Sequence, residues 1–185
     1  MFRFLPRTIL FLLTSMHALQ AAPQTASPSS TVATEVKVLN AIEAAKFLPT
    51  EVFFRGQSAP IQARNSGGVR FSKDAVLLAT LVDTSGYSSA VQERYQAYLI
   101  TEIAIEIGGH RLQPGAYGCG FIANDSFIVM DIGGHDLFTA HSTRDGNLHR
   151  PMPLQILPAP RGTQLYRLYA GRTYVEFTSA SAATH

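Results

Sequence analysis

The 185 residues contain one cysteine, no tryptophan and only 15% charged side chains. A lone cysteine excludes an intramolecular disulfide framework and any cysteine-based zinc site. Fifteen Lys and Arg stand against thirteen Asp and Glu, and without Arg3 and Arg7 the two signs balance. A chain of that charge exerts no bulk pull on phosphate backbones, so nucleic-acid binding by net charge is excluded. No apolar run approaches the roughly 20 residues of a membrane-spanning helix. Catalytic signatures are missing too. There is no Gly-x-Ser-x-Gly elbow, and the glycines at 115–120 lack the Lys and following helix of a phosphate loop. Ser142, Asp145 and His149 lie in an ordinary polar turn. With 46% hydrophobic residues, the chain nonetheless has ample material for a core.

The N-terminus carries Arg3 and Arg7, a short apolar stretch from Thr8 to Met16, and small residues up to Ala22. That order is a Sec-type signal peptide over residues 1–21, cleaved after Ala21, with an uncleaved anchor as the alternative. The expected destination is the periplasm or the extracellular space. Arg3 and Arg7 are not adjacent, so there is no twin-arginine signal, and no cysteine near the cleavage point offers a lipid anchor. Residues 22–34, rich in Ser, Thr and Pro, read as a flexible linker. Cys119, in Tyr-Gly-Cys-Gly-Phe, reads as a buried inert thiol.

Residues 35–178 read as one all-β domain, an antiparallel β-sandwich or small β-barrel with one short N-terminal helix, followed by a disordered tail over 179–185. The helix is expected at about 35–47, with Val38, Ile42 and Ala45 on one face and Pro49 as its stop. Residues 51–55 and 60–63 are short strands, with a turn at Asn65-Ser-Gly-Gly68. Residues 75–82 are apolar on both parities, as in a strand covered on two sides, and the N-terminal helix is the expected cover. In 101–107 the chain alternates, with Ile103, Ile105 and Ile107 on one face and Glu102 and Glu106 facing water. Residues 85–96 form a long polar loop with room for one helical turn.

Three two-residue turns set hairpin registers. Asn124-Asp125 places Cys119 opposite Met130, Gly133-Gly134 places Asp131 opposite Asp136 and Val129 opposite Phe138, and Ala170-Gly171 places Leu168 opposite Thr173. Two candidate sites follow. Asp131 and Asp136, facing across a hairpin, would repel unless a cation such as Ca²⁺ lay between them or one stayed protonated, and would form a small metal site or an acid/base pair. His135 and His141 are about 20 Å apart along a strand, too far to share an ion. Arg167, Tyr169, Arg172 and Tyr174 share the outward face of the last hairpin, where Arg and Tyr can stack on sugar rings or clamp an anion.

The leading functional expectation is an exported, non-catalytic β-domain that needs no cofactor and binds a small molecule, a glycan or a partner protein. An assembly subunit associating through strand edges is the second. A metal-dependent hydrolase built on Asp131 and Asp136 is the third.

Overall fold

Residue parity and turn residues place fourteen strands and two short helices along residues 36–160 and 164–180, which the computed structural model describes and which belong to one compact unit. The expected signal peptide, linker and last five residues lie outside them.

The first sheet has eight strands. Its path runs β1 (Lys37–Leu39), β3 (Gln57–Ser72), β4 (Ala75–Val82), β5 (Ala97–Thr101), β8 (Gly115–Ile122), β9 (Ser126–Met130) and β10 (Asp136–His141), with β2 (Glu51–Phe54) paired to the start of β3. The second has six: β12 (Gln155–Pro158), β13 (Leu165–Ala170), β14 (Thr173–Ser179), β6 (Ile105–Ile107) and β7 (His110–Leu112), with β11 (Thr143–Arg144) also on β14. Every pairing is antiparallel. The sheets pack face to face as a β-sandwich. Leu77, Leu99, Cys119, Phe127 and Val129 of the first meet Ile105, Ile107, Leu168, Val175 and Phe177 of the second in one buried core. Burial holds the Cys119 thiol protonated, its pKa pushed up to about 12.

The opposite face of the first sheet is covered as well. Val76 and Leu78 of β4 pack under Ala44 of helix α1 (Ala41–Ala44) and under Leu48, so the double-sided strand and its helical cover are both present. Further along, Tyr98, Ile128 and Met130 lie beneath Val52 and Phe54 of the β2–β3 hairpin and beneath Tyr87 and Tyr95. Tyr87 and Tyr95 flank the second helix, α2 (Ser89–Gln92), the single helical turn for which the polar loop had room. Glycine makes this layer possible. A Cβ at Gly118 would come within 2.5 Å of the Phe54 ring, and one at Gly120 within 2.2 Å of the Arg94 carbonyl oxygen.

Several sequence expectations need correction. The helix expected at 35–47 is strand β1 followed by four helical residues. Asn40 fixes the break: its side chain accepts from Glu43 N (3.0 Å) while the Glu43 carboxylate accepts from Asn40 N (3.1 Å), a capping box that starts the helix at Ala41. Ile42, assigned to the buried face, is 77% exposed. Asn65–Gly68 is no turn but the middle of β3, where a register shift between Gln62 and Ser66 absorbs the extra residues. The glycines serve close packing there: a Cβ on Gly68 would sit 2.7 Å from Leu77 O.

Residues 101–107 do not form one strand. The chain leaves the first sheet at Thr101, whose hydroxyl donates to Ile103 O (2.7 Å), and enters the second at Ile105. Ile105 and Ile107 are buried and Glu106 exposed, as the alternation requires. Glu102 does not simply face water, since its carboxylate accepts from Val76 N at 3.0 Å. Residues 179 and 180, expected in the tail, are bonded into the second sheet's border: Ser179 pairs with Ile105, and Ala180 N donates to Ala104 O.

Among the described residues no helix is long and apolar enough to cross a membrane.

Candidate functional site

The turn between β9 and β10 decides the acidic pair. Met130 pairs with Asp136 and Val129 with Phe138, with a register shift between Asp136 and Phe138. Val129 is therefore opposite Phe138 as expected, but Asp131 is not opposite Asp136. Each carboxylate has its own counter-group. Asp131 accepts from His135 N (2.9 Å) and pairs with His135 Nδ1 (2.9 Å), which holds its carboxyl below the ordinary range. Asp136 takes a two-pronged ion pair from Arg94, at 2.6 and 2.5 Å. The like charges that implied a cation are compensated within the protein. No group of three or more His, Cys, Asp or Glu among the described residues is arranged to hold an ion.

This turn also separates its two glycines. Gly134 has φ +87°, and a Cβ there would lie 2.5 Å from Arg55 Cγ and Cδ. Gly133 is not in the left-handed region, and a Cβ there would meet only the His135 ring at 3.1 Å and the Asp131 carboxylate at 3.2 Å. Gly134→Val is expected to cost about 2 kcal/mol or more and Gly133→Val under about 1 kcal/mol. Urea denaturation of both variants checks the order, and equal losses would contradict this turn geometry.

The C-terminal hairpin turns at Gly171-Arg172, one residue later than expected. Gly171 supplies the single left-handed φ, +58°, of a type II′ turn. The register accordingly moves by two, so Leu168 lies opposite Val175, Tyr169 opposite Tyr174 and Arg167 opposite Glu176. A two-residue slip preserves the faces. Tyr166, Leu168, Val175 and Phe177 point into the core, while Arg167, Tyr169, Tyr174 and Glu176 share the outer face.

On that face Arg167 is fully engaged. Its Nε donates to Glu176 Oε1 at 3.0 Å, its Nη1 lies 3.7 Å from Asp145 Oδ2, and its guanidinium stands 4.1 Å over the Tyr174 ring. Tyr169, only 2% exposed, donates its hydroxyl to Asp145 Oδ2 at 2.9 Å. That bond, with lesser help from Asn147 N and the Arg167 charge, keeps Asp145 ionised to lower pH than usual. β11 delivers Asp145 to this place by pairing Thr143 and Arg144 with Tyr174 and Thr173. Arg172 stands apart from the other three. Its Nη1 donates to the carbonyls of Gly146 (3.2 Å) and Leu148 (2.6 Å), so it braces the 146–148 segment. Of the four residues expected on this surface, three come together and the fourth is structural.

Two cavities flank the ridge. One, of about 370 Å³, brings Glu106, His141, Thr143, Tyr174, Glu176 and Thr178 to a common wall. The other, wider and shallower at about 530 Å³, runs from Asp145 and Asn147 past His149 to Gln155 and Tyr169. The first holds two residues that sequence reasoning passed over as site candidates, Glu106 and Glu176, and also His141, which was weighed there only as a metal ligand. Of these, Glu176 had a signal, because placing it opposite Arg167 makes a cross-strand ion pair that the other register lacks. His110 stacks on Phe138 with ring centroids 4.4 Å apart and serves packing.

Chemically, this face offers carboxylate and hydroxyl acceptors beside an aromatic ring, and the charge of Arg167 is already met by Glu176 and Asp145. It is suited to hydroxyl groups rather than to an anion. Compared with protein-family models, with curated proteins and with solved structures, the chain has no match.

Proposed function

We propose that this chain is an exported, non-catalytic β-sandwich domain that binds a hydroxyl-rich ligand, a glycan, on the outer face of its second sheet. The observation that carries this reading is the 370 Å³ cavity in which Tyr174 adjoins Glu106, Glu176, His141 and two threonines. Carboxylates accept sugar hydroxyls, and a tyrosine face packs on the apolar side of a pyranose ring. The volume lies at the low end for a small-molecule site and suits one or two sugar rings. Arg167 serves the ligand indirectly, by holding Tyr174 and Glu176 in place.

The test is a screen of soluble cello-, chito-, xylo- and manno-oligosaccharides by isothermal titration calorimetry, repeated with Tyr174→Ala and Glu106→Gln. The expected result is saturable binding to one class, weakened at least about tenfold in both variants. Failure of every sugar to bind, or unchanged affinity in both variants, would end this proposal.

A second reading, association through strand edges, is favoured by one feature. The edge strands β1 and β12 border a mostly apolar groove of about 270 Å³, lined by Val38, Leu39, Leu154 and Ile156, with Met152 exposed beside it. An extended segment laid there would add a strand to either sheet. A mass that rises with concentration would support it, and a constant monomer mass would remove it.

A further inference from the structure

The two cavities that flank the Arg167–Tyr174 ridge belong to one surface. Directly opposite residues of neighbouring antiparallel strands share a face, and the register sets them out in rows across the second sheet. Leu157, Arg167 and Glu176 make one row, and Gln155, Tyr169 and Tyr174 make the next. Each row begins in the cavity of about 530 Å³, with Leu157 or Gln155, and ends in the cavity of about 370 Å³, with Glu176 or Tyr174. Glu106 stands one strand further on, opposite Thr178. From β12 through β13 and β14 to β6 the strands are hydrogen-bonded neighbours, so the surface spans about 14 Å across the strands.

The larger cavity is walled by a loop that the sheet holds by its backbone. Arg172 Nη1 donates to the carbonyls of Gly146 (3.2 Å) and Leu148 (2.6 Å), and Gln155 Nε2 donates to that of Arg150 (3.3 Å). Every second carbonyl from 146 to 150 is thus turned to a side chain of the sheet. Asn147 and His149 alternate with these positions. Both are exposed, both line the cavity, and neither side chain has a bonding partner among the described residues. Leu148 and Leu157, both half-buried, give the same cavity an apolar part. A backbone fixed at this spacing keeps two free hydrogen-bonding side chains in place before any ligand arrives, which lowers the ordering cost of binding.

We propose, resting on the glycan reading of the smaller cavity, that the ligand is an extended oligosaccharide segment of about three or four rings lying across the strands. It runs from Glu106 and Tyr174, over the ridge, to Asn147 and His149. The smaller cavity takes one or two rings by volume, and the larger one takes about as many again. In the larger cavity the Asn147 amide and the His149 ring bond sugar hydroxyls, and Leu157 packs on the apolar side of a ring. A disaccharide would use only one side of the ridge.

The probes are the disaccharide to hexasaccharide ladders of the cello-, chito-, xylo- and manno- series, titrated into the full chain by isothermal titration calorimetry. In the series that binds, affinity is expected to rise at least about tenfold from disaccharide to tetrasaccharide and to stay level beyond. The double variant Asn147→Ala/His149→Ala is expected to bring the tetrasaccharide down to the disaccharide's affinity and to leave the disaccharide unchanged. Tyr174→Ala is expected to weaken both. NMR supplies a readout that needs no variant: signals of Asn147 and His149 shift with the tetrasaccharide and not with the disaccharide. An affinity already level at the disaccharide would overturn the two-cavity arrangement and leave the glycan reading standing. So would a double variant that binds the tetrasaccharide like the parent, or one that loses the disaccharide as well. Failure of every sugar to bind would remove both.

Discussion

Gly120→Val is expected to lose at least about 3 kcal/mol of stability, a fall of roughly 6–12 °C in Tm for a chain of this size. The reason is the atom it would strike. A Cβ at residue 120 lies 2.2 Å from Arg94 O and 3.0 Å from Arg94 C, both backbone, so no rotamer change relieves the clash. Either β8 or the segment carrying Tyr95 and Arg94 has to move. Movement of the segment would break the side-chain bonds by which Gln96 holds the backbone of Phe121, donating to its carbonyl (3.0 Å) and accepting from its N–H (3.1 Å). Thermal denaturation followed by circular dichroism measures the loss. A Tm within about 2 °C of the parent would mean that the covering layer is not seated on β8 as described.

Phe54→Ala is the second large effect, at about 3–5 kcal/mol. The ring is fully buried and stacked on Tyr95, and its edge occupies the space left by the missing side chain of Gly118. That last contact makes the experiment specific. In the parent, Gly118→Ala pushes a methyl to within 2.5 Å of Phe54 Cε2 and should destabilise the protein. In the Phe54→Ala background the same methyl enters vacated space. The double variant is therefore expected to be no less stable than Phe54→Ala alone, with a coupling of about 1 kcal/mol or more by a double-mutant cycle. Strict additivity would show that ring and glycine do not meet.

These two experiments concern the part of the molecule least legible in the sequence. The sandwich itself was readable: the alternation of Ile105, Glu106 and Ile107 and the two-sided apolar strand at Ala75–Val82 both stand in the structure. Registers were harder, for a physical reason. β9 runs Ser-Phe-Ile-Val-Met, apolar on both parities because both faces of its sheet are covered, so hydrophobicity carries no information about facing. The expected Cys119–Met130 pairing is off by one, and Cys119 meets Val129 because Ala123 joins Asn124 and Asp125 in a three-residue loop. β13 and β14 do alternate, so an error of two residues at their turn left the face assignments of Arg167, Tyr169 and Tyr174 intact. Gly68 misled in another way. Read as part of a turn, it marks close approach, as Gly118 and Gly120 do within β8, and only the partner's position distinguishes the two. The Asp131–Asp136 pairing failed on the register of their turn, and the cation it implied is replaced by His135 and by Arg94, the latter remote in sequence.

The position of β14 has a consequence for how the chain assembles. It is the last strand in the sequence yet lies inside the second sheet, bonded to β13 on one side and to β6 and β11 on the other. While the polypeptide emerges from its N-terminal end, the first sheet can form from neighbours in sequence, but the β6–β7 hairpin has no sheet to join. Its Ile105 and Ile107, fully buried in the finished protein, stay exposed until β14 arrives and bridges it to β13. Folding of this domain is therefore completed only once β14 has been made, and its core closes on that strand rather than growing outward from the first ones.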